Sequence, residues 1–190
     1  MITLNELTTG FSEALRVPLD EVQDVAARQH QAGLIAPVQP GRKRMSVADG
    51  ARLLVGVMVM RIEGAATSAA ALTADIERLT RLKHGAQLYF DTDFILPEDY
   101  TGAVAEILSA LADPYRRQRA RDWIGRVGLA RGGGRMAGWI EVRAPEAEQW
   151  EDFDYAASPD DLVVILDGAP VVRRIEVRIS ALLPIAQLLA

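Results

Sequence analysis

The sequence predicts an α+β protein with an N-terminal helix-turn-helix, a helical middle and a C-terminal antiparallel β-sheet. Three observations carry this expectation. Two short amphipathic runs stand near the start: Leu4, Leu7, Phe11, Ala14 and Leu15, then Leu19, Val22, Val25 and Ala26, with only Arg16-Val17-Pro18 between them. Helical spacing of apolar residues dominates as far as Leu111. From Tyr115 onward the pattern changes to short apolar runs separated by glycine-containing turns, the signature of strands.

Taken in order, Pro18 sits near the start of the second helix, where its fixed φ and missing N–H cost little. Gly33 stands where that helix would end in the left-handed conformation, with Leu34-Ile35 burying the exit. Ala36-Pro37-Val38-Gln39-Pro40-Gly41 breaks helical structure, and the basic triplet Arg42-Lys43-Arg44 follows. Ser46, with Asp49 three residues later, predicts the capped start of a third helix with Val47, Ala51, Leu54, Val55 and Met58 on its apolar side. Its densest run, Leu53 to Met60, is bracketed by Arg52 and Arg61; too short to span a bilayer, it reads as a buried helix.

Leu72, Ile76, Leu79 and Leu82 predict a fourth helix, capped by Thr67 or Ser68 and stopped at Gly85. The aromatic and β-branched stretch Leu88 to Leu96 reads as extended. Pro97-Glu98-Asp99 opens a helix with Tyr100, Val104, Ile107, Leu108 and Leu111 inward, ended by Asp113-Pro114. Trp123 to Leu129 and Met136 to Val142 flank Arg131-Gly132-Gly133-Gly134 as one hairpin. Leu162 to Leu166 and Val171 to Ile179 are expected to form a second hairpin about Asp167-Gly168, and Ser180 to cap a final helix through Leu189. The expected units are residues 1–64, 65–114 and 115–190.

Composition narrows the function classes. The chain of 190 residues is 49% hydrophobic and 25% charged, enough apolar material for a real core. With no cysteine, disulfides and cysteine-based metal sites or nucleophiles are excluded. His30 and His84 are too few for a histidine-rich metal site, and His30 falls near the apolar stripe of its helix, as a packing histidine would. Asp91-x-Asp93 reads as a pair of exposed strand acids. Gly132-Gly133-Gly134 lacks the lysine and Ser/Thr of a phosphate-binding loop. No metal, cofactor or catalytic residue is therefore expected. The start lacks the basic-then-apolar pattern of a secretory signal, so the expected location is the cytoplasm, without a membrane partner.

The net charge of −5 excludes a protein that coats nucleic acid over its whole surface. Through Gly64 seven acids balance seven bases, so the negative excess lies entirely in the remainder. There, eight arginines between Arg116 and Arg143 precede an acidic segment from Glu146 to Asp167. Trp123 and Trp139 in this region read as core residues, with the arginines facing the acidic segment or a neighbouring subunit. A second nucleic-acid surface with stacking tryptophans is the alternative.

The motifs Arg28-x-x-x-Ala32-Gly33-Leu34-Ile35, Gly41-Arg42-Lys43-Arg44 and Ser46-x-x-Asp49-Gly50-Ala51-Arg52-Leu53-Leu54 carry a resemblance. Together they are similar to the N-terminal domain of prophage-borne winged-helix proteins, a class that includes phage transcriptional regulators and small DNA-recognising subunits of packaging terminases. The likeness covers the first third of the chain. It implies a winged-helix fold for residues 1–64 and double-stranded DNA as partner. Arg42, Lys43 and Arg44 are then the expected phosphate contacts, supported by Arg28, with Gln31 on the exposed face of the recognition helix. Asp20 and Glu21 work against this: they favour the helix N-terminus but repel phosphate. About three phosphate contacts per subunit bind weakly, so a homo-oligomer is expected. The expected function is transcriptional regulation without enzymatic chemistry. The alternatives are a small terminase subunit or virion assembly factor, and a protein-binding adaptor that uses the acidic face.

Overall fold

A computed structural model describes residues 2–35, 45–65, 69–82, 95–143, 149–165 and 171–190. The protein is α+β. Among the described residues, eight helices accompany a five-stranded antiparallel sheet that lies mostly in the C-terminal half. Helices α1 (Leu4–Leu15), α2 (Leu19–Gln31) and α3 (Val47–Glu63) come first, followed by α4 (Ala69–Ile76) and the short strand β1 (Thr80–Arg81). Then come α5 (Tyr100–Ala112), α6 (Arg117–Trp123), β2 (Ile124–Gly132), β3 (Arg135–Val142) and β4 (Glu151–Ala156). The chain ends with α7 (Pro159–Val163), β5 (Val172–Arg178) and α8 (Ile179–Leu189).

Local chemistry explains the helix starts. Thr3 and Ser46 each accept from the backbone N–H three residues on, while Glu6 and Asp49 reach back to the cap N–H, so both α1 and α3 open with a full capping box. Asp99 caps α5 through Gly102 N–H. The predicted hairpin forms, with Gly132 opposite Arg135 and a two-residue turn at Gly133-Gly134. Both glycines have positive φ, as a type I′ turn requires.

The strand order is β1-β4-β3-β2-β5. One face of the sheet carries Val127, Leu129, Ile140, Val142, Tyr155 and Val177 into the helical layer. There, α3 and α5 lie at the centre, and α8 packs across α1 and α5. This single hydrophobic cluster reaches from Ile2 to Leu189, so residues 1–64, 65–114 and 115–190 all contribute to one core. Tyr100 ties the layers together: its ring rests over Gly138, and its buried hydroxyl donates to Gly128 O at 2.7 Å. Tyr155 meets that ring edge-on, with centroids 5.4 Å apart. The opposite face of the sheet is smaller: Ala130, Ala137, Trp139 and Ala156 pack with Ile165 just beyond α7.

Several expectations change. The fourth helix stops at Ile76 rather than continuing through Leu82, because Leu79 O accepts from Tyr100 N–H and Leu82 N–H donates to Asp154 O. Those pairings recruit the segment into the sheet. Its expected cap and stop, at residues 67–68 and 85, lie outside the described residues, as do His84, Asp91-x-Asp93 and most of the extended stretch.

Residues 117–123 form a helix, not a strand. Arg117 donates to the carbonyls of Leu111 and Ala112, closing the end of α5, and Arg116 pairs with Glu106 and Asp113. The second hairpin does not pair among the described residues, and its expected turn at Asp167-Gly168 lies outside them. Ser158 caps a helix with Pro159 at its first position, and β5 pairs with β2 instead. The acidic segment contributes strand β4, and α8 begins one residue before Ser180, with Arg178 at its N-cap.

The arginine cluster is held within the chain, though mostly by partners outside the acidic segment. Arg126 lies 2.7 Å from both Glu141 and Glu176 on the strands flanking it. Arg131 pairs with Glu63 of α3, and Arg135 with Asp161 of α7. Trp139 is buried beneath the Arg174 guanidinium, 4.8 Å from its ring centroid, while Trp123 is half-buried. Among the described residues no helix is long and apolar enough to cross a membrane.

Candidate nucleic-acid interface

The helix pair near the N-terminus is joined by a turn that its own residues lock. Arg16 takes a left-handed conformation (φ 55°) as the C-cap of α1. Val17 N–H donates to Ser12 O at 3.1 Å, the Ser12 hydroxyl donates to Val17 O at 2.8 Å, and Val17 itself is buried. Pro18 then opens α2, and Gly33 closes it with φ 73°. Ile35 is fully buried beyond the exit.

α2 buries Val22, Val25 and Ala26, together with one polar residue, Gln29. Gln29 Nε2 donates to Arg52 O at 2.7 Å and to Thr73 Oγ1 at 3.0 Å, so one amide links α2 to α3 and α4. Gly56 of α3 makes room for it; a Cβ there would stand 2.3 Å from Gln29 Nε2 and 2.8 Å from Val25 Cγ1. Sequence reasoning missed this residue. Yet Gln29 lies four residues after Val25 and seven after Val22, on the same stripe, and that spacing was the available signal.

The other side of α2 faces solvent. Asp20, Gln23, Asp24, Ala27 and Gln31 are exposed, and Arg28 is partly so. Arg28 and Gln31, three residues apart, share this side of the helix. Arg28 Nε lies 3.2 Å from Asp24 Oδ2, so its charge is balanced within the helix. Gln31 makes no side-chain hydrogen bond among the described residues. The acidic first turn is partly compensated as well: Glu21 lies 3.9 Å from Arg61 of α3.

Arg42, Lys43 and Arg44 lie outside the described residues. The residues that bracket their segment are anchored: Ile35 on one side, and on the other Met45, which is buried and donates its N–H to Ile2 O at 3.2 Å. The structure thus brings Arg28 and Gln31 together on an exposed helix face. Among the described residues no group of three or more His, Cys, Asp or Glu converges as a metal site would.

Compared with protein-family models, curated proteins and solved structures, the chain matches none.

Proposed function

We propose that this chain is a duplex-DNA-binding protein of prophage type, acting as a transcriptional regulator through an N-terminal winged helix and without catalytic chemistry of its own. The observation that carries the reading is the solvent-facing row of α2, with Gln23, Ala27, Arg28 and Gln31 presented on a helix whose opposite side is pinned by Gln29. Small and amide side chains on an exposed helix suit base edges in a major groove. Arg28 is available despite Asp24, because an exposed i,i+4 ion pair contributes only about 0.2–0.5 kcal/mol. A phosphate contact, a hydrogen bond between charged groups, contributes about 1.5–3 kcal/mol and takes the guanidinium over. Arg42, Lys43 and Arg44 supply three further phosphate contacts in this reading.

The test is fluorescence anisotropy with labelled duplexes across a salt series. With four phosphate contacts, the logarithmic salt slope is about −3.6 per subunit. Replacing Arg42, Lys43 and Arg44 with alanine lowers affinity for all sequences alike and removes about 2.7 of that slope. No duplex binding at low salt, or a slope untouched by the triple substitution, overturns the reading.

A further inference from the structure

We propose that the free edge of β5 is a docking site for an acidic peptide segment, which adds to the sheet as a sixth strand. β5 is the terminal strand of the sheet, and all seven of its residues pair with β2 on one side. On its other side no backbone hydrogen bond is made among the described residues. A groove of about 430 Å³ runs along this edge. Ile175, Glu176, Val177 and Arg178 all line it. Successive side chains of a strand alternate between faces, so four consecutive residues border one groove only when the backbone edge itself faces it. Those four residues offer about 13 Å of strand at ~3.3 Å per residue. Val57 and Met58 of α3 also line the groove, and the end of α1 borders it too.

Charge selects the occupant. Arg16, Arg61 and Arg178 stand around the groove in a chain that is acidic overall. Arg16 and Arg178 have no ion-pair partner among the described residues, and Arg61 has only the 3.9 Å contact to Glu21. The single acid of the groove, Glu176, is already engaged 2.7 Å from Arg126. The backbone at Arg16 is held left-handed, an unfavourable conformation for a residue with a side chain, at the point where the chain borders the groove. A second copy of β5 is a poor occupant, because each strand carries three arginines against a single glutamate and pairing two copies would gather that excess positive charge along one seam. Val57 and Met58 are already buried and form only the floor of the groove, so what an extended acidic segment satisfies is the unpaired backbone and the guanidinium groups together.

The probe is a fluorescein-labelled pentapeptide, Glu-Val-Asp-Val-Glu, titrated into the full chain. Binding is followed by anisotropy and by amide NMR shifts, with Lys-Val-Lys-Val-Lys and a peptide N-methylated at all four amides after its first residue as controls. The acidic peptide binds saturably and shifts the amides of Ile175 and Val177, while the basic peptide does not bind. Arg178→Ala and Arg16→Gly each weaken binding about tenfold, the loss expected for one charge-assisted hydrogen bond. N-methylation abolishes binding, because it removes the strand's donors. Absence of saturable binding, equal binding of the basic peptide, shifts confined to other elements, or indifference to N-methylation each overturns the proposal. The chain with Arg42, Lys43 and Arg44 replaced keeps peptide binding, which separates this outcome from that of the DNA reading.

Discussion

α2 and α3 are neighbours in sequence and in space, but they are buried to opposite degrees. α3 is buried nearly all round: every residue from Leu53 to Met60 is enclosed, because α2, α4, α5, α8 and the sheet surround it. α2 encloses four residues of thirteen and leaves its polar side to solvent. A helix of the first kind is a scaffold whose substitutions cost stability. A helix of the second kind can change its outer residues freely and spend them on recognition. Where the two meet, the contact is an amide against a glycine, Gln29 against Gly56.

The largest expected effect comes from that contact. Gly56→Val forces a side chain into space held by Val25 and Gln29, and lowers stability by about 3 kcal/mol or more in denaturant unfolding. A loss below about 1 kcal/mol would mean that α2 shifts easily on α3, and would blur the distinction between them.

An intermediate effect is expected at Tyr100, on the scaffold side. Tyr100→Phe leaves Gly128 O without its buried partner and costs about 1–2 kcal/mol at neutral pH. The same residue sets an alkaline limit. Burial, and secondarily the neighbouring Tyr155, holds the Tyr100 hydroxyl well above the ordinary tyrosine range, so the folded chain keeps this proton more tightly than the unfolded chain. Its contribution is therefore complete below pH ~10 and declines as pH rises beyond that value. Tyr155 adds a decline of the same sign, since burial raises its hydroxyl too. In unfolding measured from pH 8 to 11, Tyr100→Phe starts lower but loses less across the series; an unchanged slope would count against this account.

The smallest effect on stability belongs to the outer side of α2. Gln31→Ala changes unfolding free energy by less than ~0.5 kcal/mol. In the DNA reading it alters the preference among duplex sequences and leaves the salt slope in place. Equal affinity for all duplexes before and after the change would remove Gln31 from recognition.

Much of the fold was legible wherever the deciding residues lie three or four positions apart. Ser46 with Asp49, Asp99 before Tyr100, Gly33 at the exit of α2 and the paired glycines at 133–134 mark their elements without help from distant parts of the chain. α6 escaped notice because Arg117, its first residue, is spent on the carbonyls of α5, a use that periodicity does not display. Of the candidate site, the exposed placement of Arg28 and Gln31 followed from the helical period. The Asp24 ion pair was also within reach, at four residues' separation, while the link from Gln29 to Thr73 was not.

Amino-acid pattern alone set which segments form helices at the N-terminus, where the first hairpin turns, and that α2 keeps a polar side. Only tertiary structure decided that β5 joins β2, that α8 closes over α1, and that, among the described residues, the basic edge of the sheet is left unpaired beside α3. The physical reason is range. Caps and turns are satisfied by hydrogen bonds between near neighbours, whereas a strand's partner depends on which backbone edge is left unpaired once every other element has packed.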